Sequence, residues 1–156
     1  MEILISVIAL VLSVASGGFT LYSFLWTAHR DRKQATLDAY NRLQREVFDK
    51  LNLYRPSQIL EICEDKTSQE YKTLSGYLAR IEHFCVGINQ KIYDKETFFV
   101  LAHGYFDGPQ IRNRVEPLIK TKNKNGNTAE TFYDDTLKVW SWMEQKAMAG
   151  VSKRRT

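Results

Sequence analysis

An unbroken apolar stretch opens the chain. Between Ile3 and Trp26, 17 of 24 residues are apolar, and the others are Ser, Thr or Gly. As a helix rising about 1.5 Å per residue, this stretch is roughly 36 Å long, which exceeds the hydrocarbon core of a bilayer at about 30 Å. The pattern predicts a transmembrane anchor over residues 1–28, with Tyr22 and Trp26 as interfacial aromatic residues.

A cleaved signal peptide is the alternative interpretation of this stretch. Val14-Ala15-Ser16 resembles a small-residue cleavage site. However, only Glu2 precedes the apolar residues, where a signal peptide has basic ones, and the apolar residues continue beyond that site to Trp26. We therefore favour an anchor that is retained.

The rest of the chain shows helical periodicity and no alternating strand pattern. A first helix is predicted to continue from the membrane to Arg55-Pro56, because apolar residues recur there at steps of three and four. These residues are Leu37, Tyr40, Leu43, Val47, Leu51 and Tyr54. A short second helix capped by Ser57 is predicted to reach Cys63, and a capping box over residues 67–70 opens a third. The third helix carries on one face Tyr71, Leu74, Leu78, Ile81, Phe84, Cys85 and Ile88.

Three further helices complete the predicted bundle. Asp94 is expected to cap the fourth, whose residues 98–102 are all apolar, as in a helix at the centre of a bundle. Pro117 is expected to bend the fifth, and a polar loop over 120–127 precedes a last helix. The last helix carries Phe132, Tyr133, Leu137, Trp140 and Met143.

The predicted fold class is therefore all-α. An N-terminal transmembrane helix over residues 1–28 continues into a cytosolic bundle of about five helices over residues 29–150. A disordered basic tail is expected over residues 151–156, where the chain reads VSKRRT.

The distribution of charge predicts the orientation in the membrane. Residues 3–28 carry no charge, whereas the chain from His29 onward holds 22 basic and 17 acidic residues, a net charge of about +5. Because Arg30, Arg32 and Lys33 follow the apolar stretch, the positive-inside rule predicts an external N terminus and a cytosolic C-terminal domain. We expect these three side chains to contact lipid headgroups, and we expect cysteines in the cytosol to stay reduced.

Further basic residues lie toward the C terminus, at Lys120, Lys122, Lys124 and 153–155. Such residues can bind nucleic acid, but beside an anionic leaflet each Lys or Arg also gains about 1 kcal/mol from the headgroups. Lipid contact is therefore the simpler expectation, and nucleic acid is not an expected partner. A solvated loop and tail without any partner is simpler still.

No residue pattern names a reaction. The chain has no Gly-rich phosphate loop, nucleophile elbow or His-Glu-x-x-His helix, so the sequence predicts no catalytic residue, cofactor or metal ion. His83 and Cys85 cannot share a tetrahedral metal site, because neighbouring positions on a helix point in different directions. An enzyme whose site is assembled from Glu82, His83, His103 and Asp134 remains the alternative to an interaction protein.

Small and hydroxylated residues follow one side of the apolar stretch. Ser6, Ala9, Ser13, Gly17 and Thr20 recur every three or four positions. Because lipid tails solvate Leu as well as another helix does, small residues serve mainly to let a second backbone approach closely. The pattern favours association with a second copy or with another membrane protein. The alternative is that a long span simply tolerates these residues.

Four stretches of the chain carry a resemblance to a known family. They are residues 32–37 (RKQATL), 78–88 (LARIEHFCVGI), 92–96 (IYDKE) and 115–119 (VEPLI). The chain resembles a bacterial family of single-pass membrane proteins catalogued as a domain of unknown function, forty-seven sixty. The resemblance implies a helical domain anchored in the bacterial inner membrane, with no activity to carry over. We expect an interaction module that self-associates or recruits a partner, as an effector or regulator in bacterial stress or defence does.

Overall fold

The computed structural model describes residues 2–123 and 133–152, and this part of the chain is all-α. Six helices follow one another: α1 (Glu2–Leu43), α2 (Pro56–Glu64), α3 (Gln69–Asn89), α4 (Lys95–Ala102), α5 (Pro109–Asn123) and α6 (Asp134–Ser152). A long N-terminal apolar helix that continues into a bundle of about five helices is thereby confirmed.

The helical path of α1 continues beyond its regular part. After Leu43 it passes through a π-helical turn, Gln44–Phe48, and one more helical turn, Asp49–Leu51. A π turn holds more residues than an α turn, so it changes the direction in which the following side chains point. Val47 and Phe48, which belong to this turn, are both fully buried. The periodicity of the sequence predicted the first of these two core residues and missed the second.

An aromatic cluster forms the centre of the bundle. Its ring centroids lie between 5.1 and 6.4 Å apart, mostly in edge-to-face or tilted pairs, which suits the quadrupoles of the rings. The members are Tyr40, Phe48, Phe84, Phe98, Phe106 and Trp140. The indole Nε1 of Trp140 donates to the backbone oxygen of Phe106 at 3.0 Å, so its polar atom is satisfied inside the core.

Helix α4 is not the central helix that its run of apolar residues predicted. Phe98 and Ala102 are fully buried, but Val100 is 82% exposed and Leu101 is 39% exposed. The helix lies at the outside of the bundle and buries one face only. The prediction of a central helix was therefore wrong. A run of apolar residues does not show how many sides of a helix pack against its neighbours.

The starts of α2 and α3 also differ from the predicted ones. Helix α2 begins after Arg55, whose N–H donates to Oε1 of Gln58 at 2.8 Å, so Ser57 is not its cap. Proline at the first helical position favours this start, because a proline there gives up no helical hydrogen bond. Ser68 caps α3 by accepting the N–H of Tyr71 at 3.1 Å, one residue later than predicted.

For the later helices, the predicted starts agree with the structure better than the predicted ends do. Asp94 caps α4 as predicted, accepting the N–H of Thr97 at 2.7 Å. Helix α5 runs through Pro117 and extends to Asn123, so the predicted loop begins too early. Helix α6 reaches Ser152, inside the segment expected to be disordered. Residues 124–132, with Phe132 and the second half of the predicted loop, and residues 153–156 lie outside the described part.

Candidate functional site

The apolar part of α1 packs against no other part of the described structure. The side chains from Leu10 to Tyr22 are all exposed, and Phe19 is 72% exposed. An apolar surface of this extent is unfavourable in water and typical of a membrane or interaction surface. Among the described residues, α1 is the one helix long and apolar enough to cross a membrane.

The small residues of the stripe do not point in the direction in which α1 packs against the bundle. Ser13, Gly17 and Thr20 are exposed, whereas Thr36, further along the same helix, is fully buried against the bundle. On a helix of 3.6 residues per turn, the directions of Thr20, Ser13 and Gly17 differ from that of Thr36 by roughly 160°, 140° and 100°. The hydroxyl of Thr20 donates to the backbone oxygen of Ser16 at 2.9 Å, so its proton is already used within the helix. Ser6 and Ala9 belong to α1, but their side chains lie outside the description.

The basic residues expected to meet lipid headgroups are exposed on α1. Arg30, Arg32 and Lys33 all lie on the segment between the apolar stretch and the bundle. Nε of Arg30 is 3.7 Å from Oδ1 of Asp31, and both side chains are largely solvent-exposed. Such an exposed pair contributes little to stability, so it leaves these cations available for other contacts.

A hydrogen-bonded joint fixes the bundle to α1 directly after these basic residues. The buried hydroxyl of Thr36 donates to the backbone oxygen of Arg32 at 2.8 Å and accepts the N–H of Asp94 at 2.7 Å. Two of the stretches that carry the family resemblance meet here. Burial by itself would raise the pKa of Asp94, but hydrogen bonds from Thr97 and the positive charges of His29 and Lys33 outweigh it and lower the pKa.

Glu82 has a structural environment that the sequence did not suggest. Its carboxylate accepts the N–H of Asp135 at 3.0 Å, and the N–H and Oγ1–H of Thr136 at 2.9 and 2.5 Å. These donors belong to the first turn of α6, so a side chain of α3 caps the N terminus of α6. Nδ2 of Asn89 reinforces the contact by donating to Oδ1 of Asp135 at 2.7 Å.

The histidines considered as catalytic candidates lie in separate surroundings. His83 is exposed beside α1. His103 follows the last residue of α4 instead of lying within a helix, and its Nδ1 is 2.9 Å from Oδ2 of Asp107. In the described ranges, no hydrogen bond or ion pair joins either histidine to Glu82 or Asp134.

The metal-capable side chains do not converge either. Cys85 is fully buried, so it points away from the exposed His83, and burial raises the pKa of its thiol. Cys63 belongs to α2 and is also buried and free. Within residues 2–123 and 133–152, no three His, Cys, Asp or Glu side chains are grouped to hold a metal ion.

A groove lies between α1 and α3. Its volume is about 440 Å³, within the usual range of small-molecule sites. The floor is apolar: Ala39, Ala79 and Tyr93 supply its accessible surface. Three core residues, Leu43, Val47 and Phe84, lie beneath them. The rim is polar and carries Arg42, Glu46, Arg80 and His83.

The π-helical turn of α1 forms one wall of this groove. Glu46 and Val47 both belong to that turn, one at the rim and the other beneath the floor. The guanidinium Nη1 of Arg80, on α3, donates to Oε2 of Glu46 at 2.9 Å and ties the two walls together. Single π turns inside α-helices occur frequently at functional sites, because they are retained where the altered side-chain directions are useful.

Together, these features define a class of protein: a helical bundle built directly onto a long apolar N-terminal helix. Residues 10–138 match the family described as domain of unknown function DUF4760, and the chain belongs to that family. No curated protein and no solved structure shows significant similarity to the chain. The matched region includes most of α1, the groove and the first residues of α6.

Proposed function

We propose that this protein is a membrane-anchored interaction module that presents its helical bundle at the cytosolic face of a bacterial inner membrane. One observation carries the proposal: the apolar stretch and the first helix of the bundle are parts of one α-helix, Glu2–Leu43, without a linker between them. A bundle attached in this way keeps a constant height and orientation relative to its anchor. Tethering of this kind suits a partner that is also at the membrane.

The joint at Thr36 supports this arrangement. Thr36 lies ten residues beyond Trp26, which corresponds to roughly 15 Å along a helix. If Trp26 lies at the membrane interface, the bundle begins just outside the headgroups, with Arg30, Arg32 and Lys33 between the two. These cations then contact anionic lipid.

The orientation is tested with reporters fused to the C terminus of the full chain. A reporter that works only in the cytosol should be active, and one that works only in the periplasm should be inactive. Changing Arg30, Arg32 and Lys33 together to Asn should give mixed orientation, because the charge bias is then lost. A periplasm-only reporter that is active on the unmodified protein would overturn the proposed topology.

We further propose that the protein self-associates or recruits a membrane partner through Ser6, Ala9, Ser13, Gly17 and Thr20. A Cβ placed on Gly17 would meet no other atom within 4 Å, so the surface there is open. Close backbone approach is what small residues permit between helices in lipid.

Two pairs of substitutions test the association surface. Gly17→Ile and Ser13→Leu should weaken cross-linked oligomers in intact membranes, because branched side chains hold the helices apart. Leu10→Ile and Val11→Leu change exposed residues on neighbouring faces of the same helix and add at most one methylene, so they should leave the oligomers intact. Equal effects of the two pairs, or a monomer for the unmodified protein, would refute self-association. A single cross-linked partner of different mass would indicate recruitment of another membrane protein.

A further inference from the structure

We infer that the groove between α1 and α3 binds a small amphipathic organic anion, with an apolar body on the groove floor and a negatively charged group at the rim. The inference goes beyond anchoring and association, since neither needs a groove. It rests on the charge of the rim, the nature of the floor and the shape of the wall.

The rim has an excess of positive charge. Arg42 and Arg80 face a single carboxylate, that of Glu46, and the 2.9 Å contact pairs it with Arg80. Neither Arg42 nor His83 has a hydrogen-bond or ion-pair partner among the described residues. An unpaired guanidinium beside a concave surface offers a fork of N–H donors suited to carboxylate, phosphate or sulfonate oxygens.

The floor favours an apolar body over a simple inorganic anion. Val47 has no exposed surface, and Leu43 and Phe84 present only small edges to the groove. The accessible apolar surface therefore belongs mainly to Ala39, Ala79 and Tyr93. An inorganic anion would gain from Arg42 only and would leave these three side chains in contact with water. An aromatic or short aliphatic group covering them adds roughly 25 cal/mol for each Å² of apolar area removed from water.

The position of the groove favours a soluble ligand over a membrane lipid. The lining residues of α1 begin at Ala39, thirteen residues beyond Trp26, or roughly 20 Å along the helix. A lipid that is still in the bilayer does not extend to about 20 Å beyond the membrane interface. The preference for a soluble ligand over a lipid rests on the proposed membrane position of Trp26, whereas the proposed binding itself does not.

The test uses the full chain in lipid nanodiscs, equilibrium dialysis, and empty nanodiscs as the blank. Naphthalenesulfonate is the probe, naphthalenesulfonamide is its neutral counterpart, and methanesulfonate is the anion without an apolar body. We expect the first to bind more tightly than either of the others by roughly tenfold, because each comparison compound lacks one of the two contacts. Equal binding of the sulfonate and the sulfonamide, or no binding of the sulfonate above the blank, would overturn the inference.

Matched variants locate the site. Arg42→Gln should weaken naphthalenesulfonate binding roughly three- to tenfold, and this exposed, unpartnered residue contributes little to folding. Arg45→Gln is the control: it removes the same charge from the next turn, on a residue outside the groove whose Nε donates to the backbone of Asn41. Ala79→Leu should block the groove to the sulfonate and the sulfonamide alike. Equal effects of the two arginine variants would show general charge attraction and refute a site in the groove. The reporter fusions described above test the membrane orientation independently of ligand binding. A negative result in one experiment therefore does not affect the interpretation of the other.

Discussion

Replacing Glu82 by Ala removes the acceptor of three hydrogen bonds at the start of α6. Two of the donors belong to Thr136, which is fully buried, so neither its N–H nor its hydroxyl can turn to water instead. A buried donor left without an acceptor costs about 1–3 kcal/mol, and loss of a helix N-cap costs about 0.5–2 kcal/mol. Because these costs concern the same atoms, they overlap, and we expect Glu82→Ala to lower the free energy of unfolding by about 2–4 kcal/mol.

Two further variants define the size of this effect. Glu82→Gln keeps one acceptor oxygen but points an amide donor at the remaining N–H, so we expect an intermediate loss of about 1–2 kcal/mol. Glu61→Ala is the matched control, because Glu61 is exposed on α2 and has no hydrogen bond or ion pair in the described structure. Its effect should stay within about 0.5 kcal/mol.

The assay is urea unfolding of the full chain in nanodiscs, followed by far-ultraviolet circular dichroism and by tryptophan fluorescence, to which the buried Trp140 contributes together with Trp26 and Trp142. A helix in lipid keeps its backbone hydrogen bonds, so the transition reports the bundle and not the anchor. A Glu82→Ala midpoint equal to that of Glu61→Ala would refute the capping role. Such a result would reopen the question of what a carboxylate does at this position.

Three further predictions concern the core of the bundle. Phe98→Ala should lower the free energy of unfolding by about 3–5 kcal/mol, whereas Val100→Ala on the exposed side of the same helix should lower it by less than about 1 kcal/mol. Thermal unfolding distinguishes the two variants, and similar losses would mean that α4 is central after all. Burial raises the pKa of the Cys85 thiol, so iodoacetamide should modify native Cys85 far more slowly than an unfolded thiol. It should also modify Cys85 somewhat more slowly than Cys63, which is 8% exposed. Mass spectrometry gives both rates, and rapid alkylation of Cys85 would contradict its burial. Burial, and to a smaller extent the electrostatic effect of Tyr105, raises the pKa of Tyr40 to about 12 from an ordinary value of 10.0. The contribution of this shift to stability is complete below about pH 10 and is lost as the pH rises toward about 12. Between pH 9 and 11, Tyr40→Phe should therefore lose less stability than the unmodified protein by roughly 1 kcal/mol, and an equal loss would show that Tyr40 does not contribute.

The sequence predicted correctly those features that depend on interactions between residues close together in the chain. A cap such as Asp94 depends on its own side chain and on an N–H three residues away, and the structure contains that hydrogen bond. The apolar face of α3 repeats every three or four residues, and all seven residues predicted on that face, from Tyr71 to Ile88, are buried. The length of the apolar stretch likewise predicts a helix of membrane length without any knowledge of its neighbours.

Contacts between distant residues could not be predicted in this way. Glu82 is one of the four scattered catalytic candidates that the sequence offers, yet its hydrogen-bond partners are more than 50 residues away, on α6. Arg80 and Glu46 are 34 residues apart, and they meet because α3 packs beside α1. Nothing in the spacing of either residue distinguishes it from any other exposed charge on a helix.

The sequence by itself determined a long apolar helix, a helical bundle and several helix caps, because each depends on hydrogen bonds and side-chain periodicity within a few residues. The tertiary structure decided that α4 is peripheral, that Val47 and Phe48 in a π turn are both buried, and that a groove with a cationic rim lies between α1 and α3. These features follow from how whole helices pack against each other. A helix can bury its apolar residues in several ways at similar cost, and the partners that select one of them are distant in sequence.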